Sequence, residues 1–176
     1  MRTSMLAAFV MAAAFSFPCL AADTHASGMA AVSDATFVKK AAISDMYEIA
    51  AAKLAKTKSG NADVKSFADQ METAHTQTTD QLKSIVGSKP DLKLPTDMDA
   101  QHKAMMSRLR QASGADFDKA YIAQQVNAHN AAVMLFTSES QNGQDADLKK
   151  FAGDTLPTLQ QHLTMAENLQ KGRQTK

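Results

Sequence analysis

Between residues 34 and 171 the apolar side chains recur at intervals of three and four, the spacing that gathers them on one face of an α-helix. The first such stripe is Phe37, Ala41, Ser44, Glu48, Ala51 and Ala55, widened by Tyr47 and Leu54. Ser33 or Asp34 can cap it, and Gly60 ends it. Asn61 then caps a second helix whose stripe is Val64, Ala68, Met71, His75, Thr78, Leu82 and Ile85, ending near Gly87. The link between the two is only a few residues, which makes them antiparallel neighbours. Gly87 to Pro95 contains two prolines and cannot be one helix. Thr96-Asp97-Met98-Asp99 starts a short helix to about Ala112, roughly 16 residues or ~24 Å long, with Met98, Met105 and Leu109 on its apolar face.

Ser113-Gly114-Ala115-Asp116 ends that helix and caps the next, which runs to about Gln141 with Phe117, Tyr121, Ile122, Val126, His129, Val133 and Phe136 on its face. After the turn at Asn142-Gly143, Asp145 caps a last helix to about Lys171, with Leu148, Phe151, Thr155, Leu159, His162, Ala166 and Leu169 aligned. Pro157 lies inside it. The continuous stripe on both sides predicts a kinked helix that carries on past the proline and brings His162 to the core. Strand-like alternation and internal repeats are absent. The prediction is an all-α fold: a four-helix bundle over residues 34–171, with a short extra helix in the connection between the second and third long helices. That connection either carries the chain back along the bundle, making those two helices parallel, or decorates the loop of an up-down-up-down bundle.

Composition narrows the chemistry. Aromatic residues are 6% and Trp is absent, so the core must be Ala, Leu, Val, Met and a few Phe, which favours packed helices. Arg2, the apolar run Met5 to Phe17, Pro18 and the small residues ending at Ala21 have the form of a cleaved signal peptide, residues 1–21. Residues 22–33 then form a polar leader, and the expected location is the bacterial periplasm. The only Cys, Cys19, would leave with the signal, so the mature chain would have no thiol ligand and no disulfide. Net charge is +1. Without a basic cluster there is no electrostatic footprint for nucleic acid, and no second apolar run is long enough to span a membrane.

Four polar residues interrupt the apolar stripes, each near the middle of its helix: Glu48, His75, His129 and His162. Together they form a candidate metal site, because neutral imidazole and carboxylate suit iron, zinc, copper or manganese. Glu72, one turn before His75, is a candidate ligand or second-shell acceptor. The competing reading is structural: a buried imidazole also hydrogen-bonds to carboxylates, tyrosines or carbonyls, and Tyr47 and Tyr121 are at hand. His25, in the leader, and His102, among polar neighbours, are set aside. Met46, Met71, Met134 and Met165 read as flexible core filler.

Several motifs together resemble a known family. They are Phe37-Val38-Lys39-Lys40-Ala41-Ala42 with Met46 and Glu48; Val64-Lys65-Ser66-Phe67-Ala68 with Met71 and His75; Gly114-Ala115-Asp116-Phe117-Asp118 with Tyr121 and His129; and Leu156-Pro157 with His162. In these the chain is similar to the exported bacterial "domain of unknown function 4142" family of the ferritin-like superfamily, over roughly Ala35 to Leu169. The resemblance implies a ferritin-like four-helix bundle and brings no reaction with it. The chain departs from a carboxylate-rich di-iron pattern. Gln125 and His129 stand where a Glu would be needed, and Leu159 stands where a Glu-x-x-His motif would place its Glu. A mononuclear site, or a relic of one, is expected instead. The functional expectation is a non-enzymatic periplasmic metal-binding bundle. The alternatives are a metal-dependent oxidoreductase acting on oxygen species and a structural or stress-related envelope protein.

Overall fold

The computed structural model describes residues 32–174; the expected signal peptide at residues 1–21, most of the expected leader and His25 lie outside the described residues. Five helices follow in order: α1 Asp34–Lys58, α2 Ala62–Gly87, α3 Ala100–Gln111, α4 Gly114–Asn142 and α5 Ala146–Gln174. Four of the five starts follow capping side chains, whereas Ser113, expected to cap α4, makes no side-chain cap bond. Ser33 Oγ accepts from the amide of Thr36, and Asn61 Oδ1 accepts from the amides of Asp63 and Val64. Asp145 Oδ1 accepts from the amides of Asp147 and Leu148. These bonds satisfy donors that have no partner inside the helix. The short helix begins later than the sequence reading placed it. Asp99 takes the amide of His102 at 2.9 Å and so becomes the cap, leaving residues 96–98 outside. Gly114 has φ 54°, a left-handed conformation that glycine adopts without steric cost, at the corner between α3 and α4.

Helix α5 runs unbroken through Pro157, as the continuous stripe predicts. Its far half carries Leu159, His162 and Ala166 into the interior.

The apolar core falls into two clusters, and these fix the topology. One gathers Phe37 and Val38 from the start of α1, Leu82 and Val86 from the end of α2, Phe136 from the end of α4, and Leu148 and Phe151 from the start of α5. The other gathers the end of α1 (Ala52, Ala55), the start of α2 (Val64, Phe67), the start of α4 (Phe117, Tyr121) and Ala166 of α5. Helices α2 and α4 therefore run parallel. The chief packing pairs around the bundle are α1 with α2, α2 with α5, α5 with α4 and α4 with α1, which puts α2 and α4 on a diagonal. Of the two topologies open from the sequence, this is the one with a returning connection.

Two lysines hold that arrangement from opposite ends. Lys89 Nζ, just past α2, donates to Asp145 Oδ2 at 2.6 Å and Asp147 Oδ2 at 2.8 Å, at the start of α5. Lys58 Nζ, at the end of α1, donates to the carbonyls of Arg110 and Ala112, each at 2.6 Å, and so anchors the end of α3. Helix α3 seals the bundle with Met106 and Leu109; Met106 is buried where Met105, the expected core residue, is only half-buried. A second methionine also departs from expectation. Met134 is not core filler but is 61% exposed, because its neighbours Ala132 and Phe136 take the inward positions of α4. Among the described residues no helix is long and apolar enough to cross a membrane.

Candidate metal centre

Between the two apolar clusters lies a layer of buried polar side chains contributed by all four long helices. Helix α1 brings Asp45 and Glu48, α2 brings His75, α4 brings Gln125 and His129, and α5 brings His162. Each histidine follows its helix's apolar rhythm. Met71 and Leu82 flank His75, Ile122 and Ala132 flank His129, and Leu159 and Ala166 flank His162. Imidazoles placed on core-facing positions at matched height have nowhere to go but the bundle axis.

They meet there. The ring centroids are 5.6 Å apart for His75 and His129, 5.8 Å for His75 and His162, and 5.4 Å for His129 and His162. One nitrogen from each of the three lies within 4.8 Å of the other two. Among the described residues this is the one group of three or more His, Cys, Asp or Glu side chains that converges in this way.

Two of the three tautomers are set by their partners. His75 Nδ1 is 2.8 Å from Asp45 Oδ1, and His129 Nδ1 is 3.0 Å from the backbone carbonyl of Gln125. A carboxylate and a carbonyl only accept, so both Nδ1 atoms donate. Each ring then keeps its Nε2 lone pair free, and both Nε2 atoms are buried without a hydrogen-bond partner. His162 Nδ1 is likewise buried and unpartnered. Leaving such acceptors bare in an apolar interior costs free energy. An ion bonded to all three would remove that cost, so the donor set fits one.

Electrostatics separates the three rings. Burial pushes His129 down to about 3, helped by the charge of His75, and pushes His162 down to about 4 for the same two reasons. For His75 burial also lowers the value, yet the hydrogen bond to Asp45 and the charges of Glu48 and Asp45 outweigh it, and the net direction is up. Glu48 is raised to about 7, chiefly by burial, with His75 and Gln125 opposing and Asp45 adding to the rise. Its Oε2 accepts from Gln125 Nε2 at 2.6 Å, while Oε1 has no partner.

The residues singled out from the sequence thus divide. His75, His129 and His162 converge, and Glu48 is buried in the same layer, bonded to Gln125 and electrostatically coupled to His75. Glu72 stands apart. It is drawn to the outer face of the bundle, where Lys56 Nζ donates to its Oε2 at 3.0 Å and Lys53 Nζ lies 3.8 Å from Oε1. The carboxylate that orients His75 is Asp45 instead, held on its other oxygen by the hydroxyls of Thr78 at 2.9 Å and Thr79 at 3.3 Å. Asp45 was legible in principle. Val38, Ala41, Asp45, Glu48 and Ala52 step by three and four, and all are buried. The two tyrosines do not bond the histidines: Tyr47 donates to Gln124 Oε1 at 2.6 Å, and Tyr121 OH is buried without a partner. His102 packs against the Tyr47 ring and bonds Asp99 at 2.7 Å, outside the layer.

The family model for the domain of unknown function DUF4142 matches residues 19–169. The chain belongs to the DUF4142 family. Among solved structures this DUF4142 chain is similar to CopM. The Cu(II)-bound form aligns at a TM-score of 0.70 and 18% identity, over 81% of this chain and 99% of that one. The Ag-bound form aligns at 0.67 and 18%, over 80% and 97%. The Cu(I)-bound form aligns at 0.67 and 16%, over 80% and 97%. At these identities the likeness establishes a shared helical-bundle fold. No curated protein matches the chain.

Proposed function

We propose that this protein binds one transition-metal ion in the bundle core through His75, His129 and His162, with Glu48, buried in the same layer but outside the converging group, as a further ligand or charge partner. The observation that carries this is the convergence of three buried imidazoles, each with a buried nitrogen that has no protein partner. Three neutral imidazoles suit zinc, copper and iron, and the affinity order of divalent metals for nitrogen donors places copper above manganese. The fold likeness to CopM, solved with Cu(II), Cu(I) and Ag, supports copper as the first ion to try. The site lies between two apolar clusters, an enclosure that suits holding an ion. Export by the signal peptide at residues 1–21 would place this in the periplasm. The test is elemental analysis of protein purified from periplasm, followed by reloading of the ion-free protein. About one bound ion per chain supports the reading; a ratio near zero after reloading with copper, zinc and iron rejects it.

A further inference from the structure

Asp45 stands outside the converging nitrogens but is tied to them through one ring. Its Oδ1 takes the Nδ1 proton of His75, and Thr78 and Thr79 hold Oδ2, so the carboxylate is fixed at both oxygens. It is only 6% exposed, and Glu48, also buried, follows one turn later on α1. The imidazoles that converge carry no charge in their ligating form. The buried carboxylates of this layer, Asp45 and Glu48, both come from α1. Taking the site as an ion-binding site, we infer that Asp45 is a positioning residue that makes it favour divalent over monovalent ions. It acts through His75, fixing the tautomer and placing a buried negative charge behind the ring.

The size of the preference follows from Coulomb's law. The attraction between a fixed charge and an ion scales with the ion's charge. Removing the Asp45 charge therefore costs a divalent ion about twice as much in free energy as a monovalent one. Loss of a carboxylate bonded to a metal-binding His lowers affinity by about 10- to 100-fold. Applied to a divalent ion, this gives about the square root of that factor, roughly 3- to 10-fold, for a monovalent ion. A residue that only orients the ring would lower both affinities equally.

The experiment titrates ion-free mature protein and its Asp45→Asn variant with Zn²⁺ and, separately, Ag⁺. The expected result is a loss of about 10- to 100-fold for Zn²⁺ and a clearly smaller loss for Ag⁺. Equal losses for the two ions, or none for either, would overturn the assignment. Wild type binding neither ion would instead remove the site itself, and the role of Asp45 with it. Should the variant not fold, ¹⁵N-edited spectra of the wild-type His75 ring decide. Nδ1 should keep its proton with and without Zn²⁺, and only Nε2 should respond to the ion. Loss of the Nδ1 proton on Zn²⁺ binding would contradict the inference.

Discussion

His75 Nδ1 lies 2.8 Å from Asp45 Oδ1, thirty residues earlier on the neighbouring helix. That bond distinguishes His75 from the other two rings. It leaves the Nε2 of His75 as the imidazole position where a proton competes most strongly with an ion, because His129 and His162 are held neutral far below their ordinary range.

Ion affinity should accordingly fall on acidification by about tenfold per pH unit for each proton displaced. Glu48 is raised to about 7 and His75 is raised above its ordinary value, so one to two protons should be displaced when the ion binds at mildly acidic pH. The Glu48→Gln variant should lower that number by up to one. The slope of log affinity against pH, measured by competition titration, is the check. A slope near three would mean that all three imidazoles titrate together near their ordinary value.

The stability of the ion-free protein should carry the signature of the same groups. A His whose value is depressed on folding binds its proton more readily when unfolded, so its contribution is present above about 6.5 and is lost as pH falls. For His162 the window closes at about 4, and for His129 at about 3. Glu48 has the opposite sign. Its raised value gives a contribution that is complete below about 4.5 and is lost as pH rises through about 7. Thermal midpoints of wild type and His129→Ala across pH 3 to 8 should show a shallower acid decline in the variant.

Replacement of any one of the three histidines by Ala should abolish most ion binding, and a second replacement should add little, because the three act through one ion. Independent, separately additive losses in isothermal titration would mean separate weak sites.

Glu72→Ala should leave ion affinity unchanged and alter stability by less than about 1 kcal/mol, because it removes only a surface ion pair with Lys56 and Lys53. A tenfold or greater loss of affinity would return Glu72 to the site.

The fold was largely legible in the sequence because the apolar stripes, the caps at Ser33, Asn61 and Asp145, and the break at Gly87 to Pro95 are local signals. The direction of α4 relative to α2 was not, since matched mid-helix positions align in either topology. It emerged only from the sharing of Phe37, Leu82, Phe136 and Phe151 in one cluster. The three histidines stood out because each interrupts an apolar stripe. Asp45 was passed over because Ser44, the residue beside it, fits the same stripe within the tolerance of helical spacing, and only packing shows that Ser44 turns toward the α3 side while Asp45 points inward. Glu72 looked close to His75 along the helix, yet Lys56 on α1 draws it outward.

The most direct test of the central claim is thermal unfolding of ion-free wild type and His129→Ala, each with and without added Cu²⁺ or Zn²⁺. An ion held by His75, His129 and His162 should stabilise wild type by ~2.7 kcal/mol at a free concentration one hundred times its dissociation constant. It should leave the variant unmoved, and chelator should reverse the gain. A wild-type midpoint unchanged by copper, zinc, iron and manganese alike would contradict the account and leave the three imidazoles as structural core residues.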